Sequence, residues 1–281
     1  MDFQKILNDV EPQVLSVALI DLDNIAYNFH KVEDELAKGS VVSVVVKGDS
    51  YGFGAVPISK RLYKEGCRSF FVATINEGIE IRNILPYEDV KIFILSGVFE
   101  NTEDLFLKYN LIPVLNNWNQ ADLWVKKAKD LNKKLGVIVH VDTGMSRNGF
   151  LEEDERHSCK DILENLNLLF VMSHLACADD VSNEMNRKQL DRFKSALKRF
   201  GNPKACLSAT NGIFLGDDYK FDMVRPGKSI YGFSIRKDVI GIVKPVMDIF
   251  SRIVQVNHLK KGDTVGYGAT FTAPRDMISI T

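Results

Sequence analysis

The chain has no long run of like charge, no CxxC pair, and no apolar stretch approaching the roughly 18 residues that a membrane span requires. Its 36 Lys and Arg nearly balance 37 Asp and Glu, leaving a net charge of −1. Such an interspersed, neutral surface argues against nucleic acid or an anionic membrane as a partner. The four cysteines, Cys67, Cys159, Cys177 and Cys206, are scattered and read as buried or idle thiols in a reducing compartment. The N-terminal segment MDFQKILNDVEP carries acidic residues and lacks an apolar core, so it does not read as a signal peptide. A soluble cytoplasmic protein is expected. No repeat or low-complexity linker is present.

What the chain does have is alternation. Its 281 residues are 45% hydrophobic, enough for a large core or for a barrel plus a small second domain. From residue 41, short apolar runs alternate with segments of helical period. The runs fall at 41–46, 69–72, 90–95, 111–115, 135–141, 166–173, 205–208 and 221–224. Several are rich in Val, Ile and Phe without a polar face, as strands buried on both sides of a parallel sheet are. Between them, Leu190, Phe193, Leu197 and Phe200 recur at helical spacing, with Gly201 at a helix-ending position. Leu123, Val125 and Ala128 mark another amphipathic stretch. About eight such units predict an α/β fold, a (β/α)8 TIM barrel over 1–234. A doubly wound open sheet competes, but no GxGxxG follows the first strand. After Gly232 the pattern changes to short strands at 240–249, 253–256, 265–271 and 277–281 joined by KKGD-type turns. This predicts the start of a C-terminal β-rich domain over 235–281, too small a sheet to cover its edges.

The chemistry-bearing residues cluster where barrel strands end. Lys47, in VVSVVVKGDSYGFG, follows the first strand on the face where such barrels place their sites. Desolvation there lowers an ammonium pKa and makes the amine a better nucleophile toward a carbonyl. The alternative is a lysine simply leaving the core. Tyr51 and the Gly52/Gly54 pair supply a close loop and a phenol within reach of an anion. In VDTGMSRNGF, Arg147 stands in a glycine-bounded loop, suited to a carboxylate or phosphate or else to plain solvent. Loops seven and eight, SATNG (208–212) and VRPGKSIYG (224–232), are the usual phosphate cradle of this fold. They make Gly212, Gly227 and the Lys228 amide phosphate candidates. His174 ends the sixth strand, and its role stays open between structure and catalysis. His30, His140, His157 and His258 are dispersed and form no metal-ligand motif. Tyr267, between glycines in VGYGATF, reads as a turn aromatic in isolation.

Taken together, VVVKGDSYGFG, VDTGMSRNGF, SHLACAD, SATNG, VRPGKSIYG and VGYGATF resemble the alanine racemase family in order and spacing, from about residue 15 to the end. The resemblance implies an L-alanine/D-alanine racemase with pyridoxal 5′-phosphate as cofactor. Lys47 is then the lysine that holds the cofactor and acts as one base. Tyr267 matches the opposing base, which the family supplies from a partner subunit, so a head-to-tail homodimer is implied. Arg147 matches the arginine that contacts cofactor and substrate carboxylate, Arg225 the one facing the pyridine nitrogen, and His174 its neighbour. Tyr51, Gly212 and Gly227 match phosphate-binding positions, with Asn211 beside them. The implied role is D-alanine supply for peptidoglycan.

Three departures stand out. His140 occupies the place of the carbamylated lysine that usually supports the arginine matched by Arg147, so another anion or a different hydrogen bond has to orient Arg147. Gly212 replaces the phosphate-binding serine. The family continues past Thr281 with most of its β-domain, a gating loop and a further tyrosine, so a fragment, natural truncation or split protein is expected. Two other functions compete: a non-catalytic pyridoxal-phosphate-binding barrel, and an enzyme on the same barrel such as a serine racemase or a basic amino-acid decarboxylase.

Overall fold

The computed structural model of the chain describes residues 10–37, 39–151, 159–233 and 241–281. His157, Ile240, residues 1–9 of the N-terminal segment and the expected 234/235 domain boundary lie outside the described residues. The chain divides into two compact units. One is Asp21–Val246; the other joins the described part of Met1–Ile20 to Met247–Thr281.

The larger unit runs α1 (Leu22–Asp34), β2 (Val41–Val42), β3 (Val44–Val45), α2 (Ala55–Lys64), β4 (Ser69–Val72), α3 (Ile75–Ile84), β5 (Lys91–Ile94), α4 (Glu103–Lys108), β6 (Ile112–Leu115), α5 (Trp118–Asp130), β7 (Leu135–His140), α6 (Cys159–Asn165), β8 (Leu166–Met172), α7 (Glu184–Arg199), β9 (Ala205–Cys206) and β10 (Met223–Val224). Strands β3 to β9 form one parallel sheet in sequence order. Strand β10 pairs in parallel with β2, and the bridge between Ala209 and Arg225 joins the β9 and β10 segments. Because β2 and β3 are one chain segment broken only at Ser43, the ring closes on itself as an eight-stranded barrel.

Two apolar layers follow from strands buried on both faces. Val45, Phe71, Phe93, Val114, Ile138, Phe170, Met172, Cys206 and Met223 fill the barrel interior. The alternate residues, among them Val44, Phe70, Ile92, Val137 and Val171, pack outward against the helices. This is why the runs lack a polar face. The helical spacing seen in the sequence is realised in α7, where Leu190, Phe193 and Leu197 are buried and Phe200 caps the end before Gly201 turns at φ 78°.

In the smaller unit, β1 (Ser16–Ile20) pairs antiparallel with β11 (Met247–Ser251), Ser16 opposite Ser251 and Ile20 opposite Met247. The sequence reading did not identify β1. Strands β12 (Val256–Leu259) and β15 (Met277–Ile280) form a second pair, and β13 (Thr264–Val265) and β14 (Phe271–Thr272) a third. The stretch expected to be one strand over 265–271 is therefore a reversal. Gly266 and Gly268 at φ 76° and 72° and Ala269 at φ 52° fold it into a 3₁₀ turn, Tyr267–Ala269. Likewise the 240–249 run contributes only its end to β11, after Pro245, and the 253–256 run only Val256 to β12.

Arg82, on α3, is a buried cation with no carboxylate partner among the described residues; its guanidinium instead donates to the carbonyls of Tyr109, Leu85, Tyr87, Val90 and Asn110. It thereby satisfies loop ends at the bottom of β5 and β6. Replacing Arg82 with Ala leaves several buried carbonyls unpaired and should cost about 3 kcal/mol or more. The check is a lowered urea midpoint with an unchanged m-value.

Candidate active site

At the C-terminal end of the barrel strands lies a cavity of about 540 Å³. Lys47, Tyr51, Arg147, His174, Asn211, Gly212, Arg225, Gly227 and Lys228 all line it, so nine of the ten residues singled out in the sequence converge on one space. The tenth, Tyr267, belongs to the smaller unit, where it is fully exposed on its 3₁₀ turn.

Lys47 begins a left-handed turn. Gly48, Asp49, Ser50 and Tyr51 have φ of 60°, 51°, 55° and 58°. For three non-glycine residues in succession this backbone is strained. Glu77 on α3 helps hold it. One carboxylate oxygen accepts from the Gly48 amide at 2.9 Å, while the other accepts from Ala73 at 2.6 Å and Thr74 at 3.2 Å. The Asp49 carboxylate accepts from the Ala55 amide at 2.6 Å, tying the turn to α2. The turn aims Tyr51 at loop eight, where a Cβ on Gly227 would sit 2.6 Å from the Tyr51 hydroxyl. Gly212 is similarly confined, since a Cβ there would meet Ser208 Oγ at 2.7 Å and Leu175 Cδ1 at 3.0 Å. A larger residue at this position would have to displace the Ser208 and Leu175 side chains.

The Arg147 loop is built from an Asx turn. The Asp142 carboxylate accepts from the amides of Gly144, Met145 and Ser146 at 2.8, 2.9 and 3.2 Å. Gln189 on α7 links this loop to the next by donating to Thr143 Oγ1 and the His174 carbonyl and accepting from the Ala176 amide. In loops seven and eight, Asn211 donates to Asp179, and Thr210 Oγ1 accepts from the amides of Gly227 at 3.1 Å and Ser229 at 3.3 Å. The Gly227 amide is thus already engaged, whereas the Lys228 amide has no acceptor among the described residues.

The charged lining is mostly positive, with Lys47, Arg147, Arg225 and Lys228 against Asp179. Arg225 is buried, and among the described residues its guanidinium donates to neutral acceptors: Cys206 Sγ at 3.1 Å, the Leu207 carbonyl at 3.1 Å and the Ser173 carbonyl. Burial, then Arg147, lowers the Lys47 ammonium below the ordinary lysine range; Glu77 opposes them and Arg225 adds to them. Burial, followed by Arg225 and Arg147, pushes His140 and His174 down to about 3. Both imidazoles are therefore neutral at physiological pH. Such a cavity favours an anion and lowers the proton affinity of an amine.

Glu77, Cys206, Gln189 and Thr210 were missed in the sequence. Only Glu77 carried a signal: Thr74 and Glu77 three residues apart spell a capping box, which α3 forms. Cys206 read as an idle thiol because its role depends on Arg225, 19 positions later in the chain.

The fold and cavity define a class: (β/α)8 barrel proteins with a desolvated lysine beside an anion-binding cleft at the strand ends. Comparison with known proteins narrows it. Residues 20–235 match the model of the alanine racemase N-terminal domain and residues 246–281 that of the C-terminal domain. A protein named alanine racemase from Rickettsia africae is 40% identical over 266 residues, 93% of this chain and 72% of that one. Another from Rhodospirillum rubrum is 39% identical over 266 residues, 94% of this chain and 71% of that one. The crystal structure of alanine racemase from Bartonella henselae with covalently bound pyridoxal phosphate superposes with a TM-score of 0.84 at 32% identity, covering 94% of this chain and 74% of that one. The chain belongs to the alanine racemase family.

The two depressed histidines make stability pH-dependent. Their folded-state pKa lies below the unfolded value of 6.5, so the unfolded chain binds more protons between the two values. Stability is present above about pH 6.5 and is lost as pH falls toward 3, at about 1.4 kcal/mol per pH unit for each fully affected group. Urea denaturation at pH 7, 6 and 5 should reveal this slope, and His174→Gln should flatten it; an unchanged slope would remove His174 from the account.

Proposed function

We propose that the protein is a pyridoxal-phosphate-dependent alanine racemase that interconverts L- and D-alanine by proton transfer between two bases. The carrying observation is the half-buried Lys47 amine, lowered in pKa, in the same cavity as Arg147, Arg225 and the glycine loops after the seventh and eighth strands.

The residues present fit the cofactor. A volume of about 540 Å³ lies within the range of roughly 300–1,000 Å³ typical of cofactor sites. Glycine at 227 lets the Tyr51 hydroxyl stand where a Cβ would be, and Gly212 lines the same cavity. Together with the Lys228 amide and the Asn211 side chain, they make a cradle for a phosphate. Gly227 contributes clearance and not its amide, which Thr210 takes. When bound, pyridoxal phosphate supplies the electron sink that racemisation requires.

The chain's own groups do the rest. Lys47 Nζ, its proton affinity lowered by burial and by the two arginines, exchanges a proton with one face of the substrate Cα. Tyr267 Oη serves the opposite face, and its full exposure in the single chain suits a residue donated to a second copy. A head-to-tail homodimer follows from that role. Arg147 takes the substrate carboxylate. Arg225, whose acceptors are all neutral, keeps its full charge and opposes a second positive charge beside it; His174, a neutral neighbour, adds none.

The proposed boundary between cofactor barrel and β-domain is residue 234/235. Among the described residues no helix is long and apolar enough to cross a membrane, and the four free cysteines suit a reducing compartment. A cytoplasmic location and a role in supplying D-alanine for peptidoglycan are part of the proposal.

Adding pyridoxal phosphate to the purified chain should produce the absorbance of a lysine-bound cofactor, and Lys47→Ala should abolish it. Incubation with L-alanine should yield D-alanine, and Tyr267→Phe should lower the rate at least a hundredfold, the scale of a lost acid–base group. Cofactor binding without D-alanine formation would leave a pyridoxal-phosphate carrier instead.

A further inference from the structure

The lysine at the cavity wall opens a turn whose backbone few L-residues adopt. Gly48, Asp49, Ser50 and Tyr51 all lie in the left-handed region, and only the first is glycine. The turn closes through two backbone bonds. The Ser50 amide donates to the Val46 carbonyl at 2.9 Å, and the Gly52 amide to the Gly48 carbonyl at 2.8 Å. Like any helical turn, it leaves its first amides without an acceptor of its own. The Gly48 amide finds one in the Glu77 carboxylate, at 2.9 Å, 29 positions later in the chain. The other brace, from the Asp49 carboxylate to the Ala55 amide, lies past the far end of the turn.

Glu77 also stands in the first turn of α3. Thr74 Oγ1 accepts from its amide at 3.4 Å, and its carboxylate accepts from the Ala73 and Thr74 amides at 2.6 and 3.2 Å. One carboxylate therefore caps two helical turns of opposite hand. It gathers three amides from the loops after the first and second barrel strands. A carboxylate suits this place, because its hydrogen bonds to amides are charge-assisted and the N-terminal end of a helical turn favours negative charge. Its charge also reaches the lysine: burial and Arg147 lower the proton affinity of Lys47, and Glu77 opposes them.

We propose that Glu77 is a positioning residue: by capping the left-handed turn from α3, it holds the Lys47 amine at the cavity and the Tyr51 phenol against Gly227. Without the cap, the strained backbone of Asp49, Ser50 and Tyr51 relaxes toward commoner conformations, and both side chains lose their places. The length of the side chain matters as well as its charge. An aspartate still suits the first turn of α3, but its carboxylate, one methylene shorter, cannot hold the α3 amides and the Gly48 amide at once. The inference rests on the proposed role of Lys47 for its effect on catalysis, but not for the brace itself.

Amide hydrogen exchange on the full chain tests the brace without any measure of activity. In Glu77→Ala and Glu77→Asp, the Ser50 and Gly52 amides should exchange about tenfold faster relative to the amides of β8, the scale of one lost hydrogen bond to a charged group. Thr74→Ala removes the hydroxyl cap of α3 and keeps the carboxylate. It should speed exchange of the Glu77 amide and leave Ser50 and Gly52 unchanged. Ser50 and Gly52 rates indifferent to Glu77→Ala overturn the proposal. So does a Glu77→Asp chain that matches the parent, which would make Glu77 a cap for α3 alone. The second arm adds pyridoxal phosphate and follows the absorbance of the lysine-bound cofactor. Its rate of appearance should fall about tenfold in both Glu77 variants and stay near the parent value in Thr74→Ala. Equal rates in the parent and Glu77→Ala chains, with only the urea midpoint lowered, would make the residue structural and refute the assignment. Absence of that absorbance in the parent chain would count against the proposed function, while the exchange arm still decides the brace.

Discussion

Closure of the strand ring is the constraint on which everything else depends. The parallel pairing of β10 with β2 is only two residues long. It is extended by the amides of Val41, Ser43 and Val45, which donate to the carbonyls of Asp222, Val224 and Pro226 at 3.0, 2.9 and 2.9 Å. Through it the loop after the eighth strand meets the turn after the first, and Tyr51 comes to rest against Gly227. In an open sheet these segments would be the two far edges. Closure converts residues nearly 180 positions apart into the walls of one cavity.

The cavity so made gathers more positive groups than negative ones, with Asp179 the carboxylate among its described lining residues. Lys47, Arg147 and Arg225 face it together with two neutral histidines, while Glu77 is occupied by backbone amides. Like charges crowded in a poorly solvated space lower one another's proton affinity, and lysine is the group able to respond. The strained turn after Lys47 belongs to the same design. Its left-handed backbone is held by Glu77, Asp49 and the packing of Tyr51 on Tyr231, whose ring centroids lie 5.1 Å apart. Conformational strain at the reactive group is thus held by the scaffold around it.

Neutral partners recur where a carboxylate would be expected. Arg225 rests on a thiol and two carbonyls, Arg82 on five carbonyls, and His140 on an amide. In each case the group is oriented while its charge state stays as the surroundings dictate. At Arg82 this fastens loops. Around the cavity it preserves the field that the proposed chemistry uses.

The barrel was legible because its strands are buried on both faces, so the apolar runs at 69–72, 90–95 and 166–173 stood out without any knowledge of pairing. Lys47, Arg147 and the loop glycines were legible because glycine-bounded polar residues at strand ends have few other reasons to occur. Ser16–Ile20 was not legible as a strand: its partner, Met247–Ser251, lies at the other end of the chain. Nor was the reversal at Gly266, where apolar residues on either side read as one run. The sequence by itself determined the alternation, the reactive side chains and their family, all of which are local patterns. Only the tertiary structure decided which neutral groups hold the buried Arg82 and Arg225, how Asn116 Oδ1 meets His140 Nδ1 and which side chains crowd Gly212. Those depend on atoms brought within 3 Å of one another by segments that no local pattern connects.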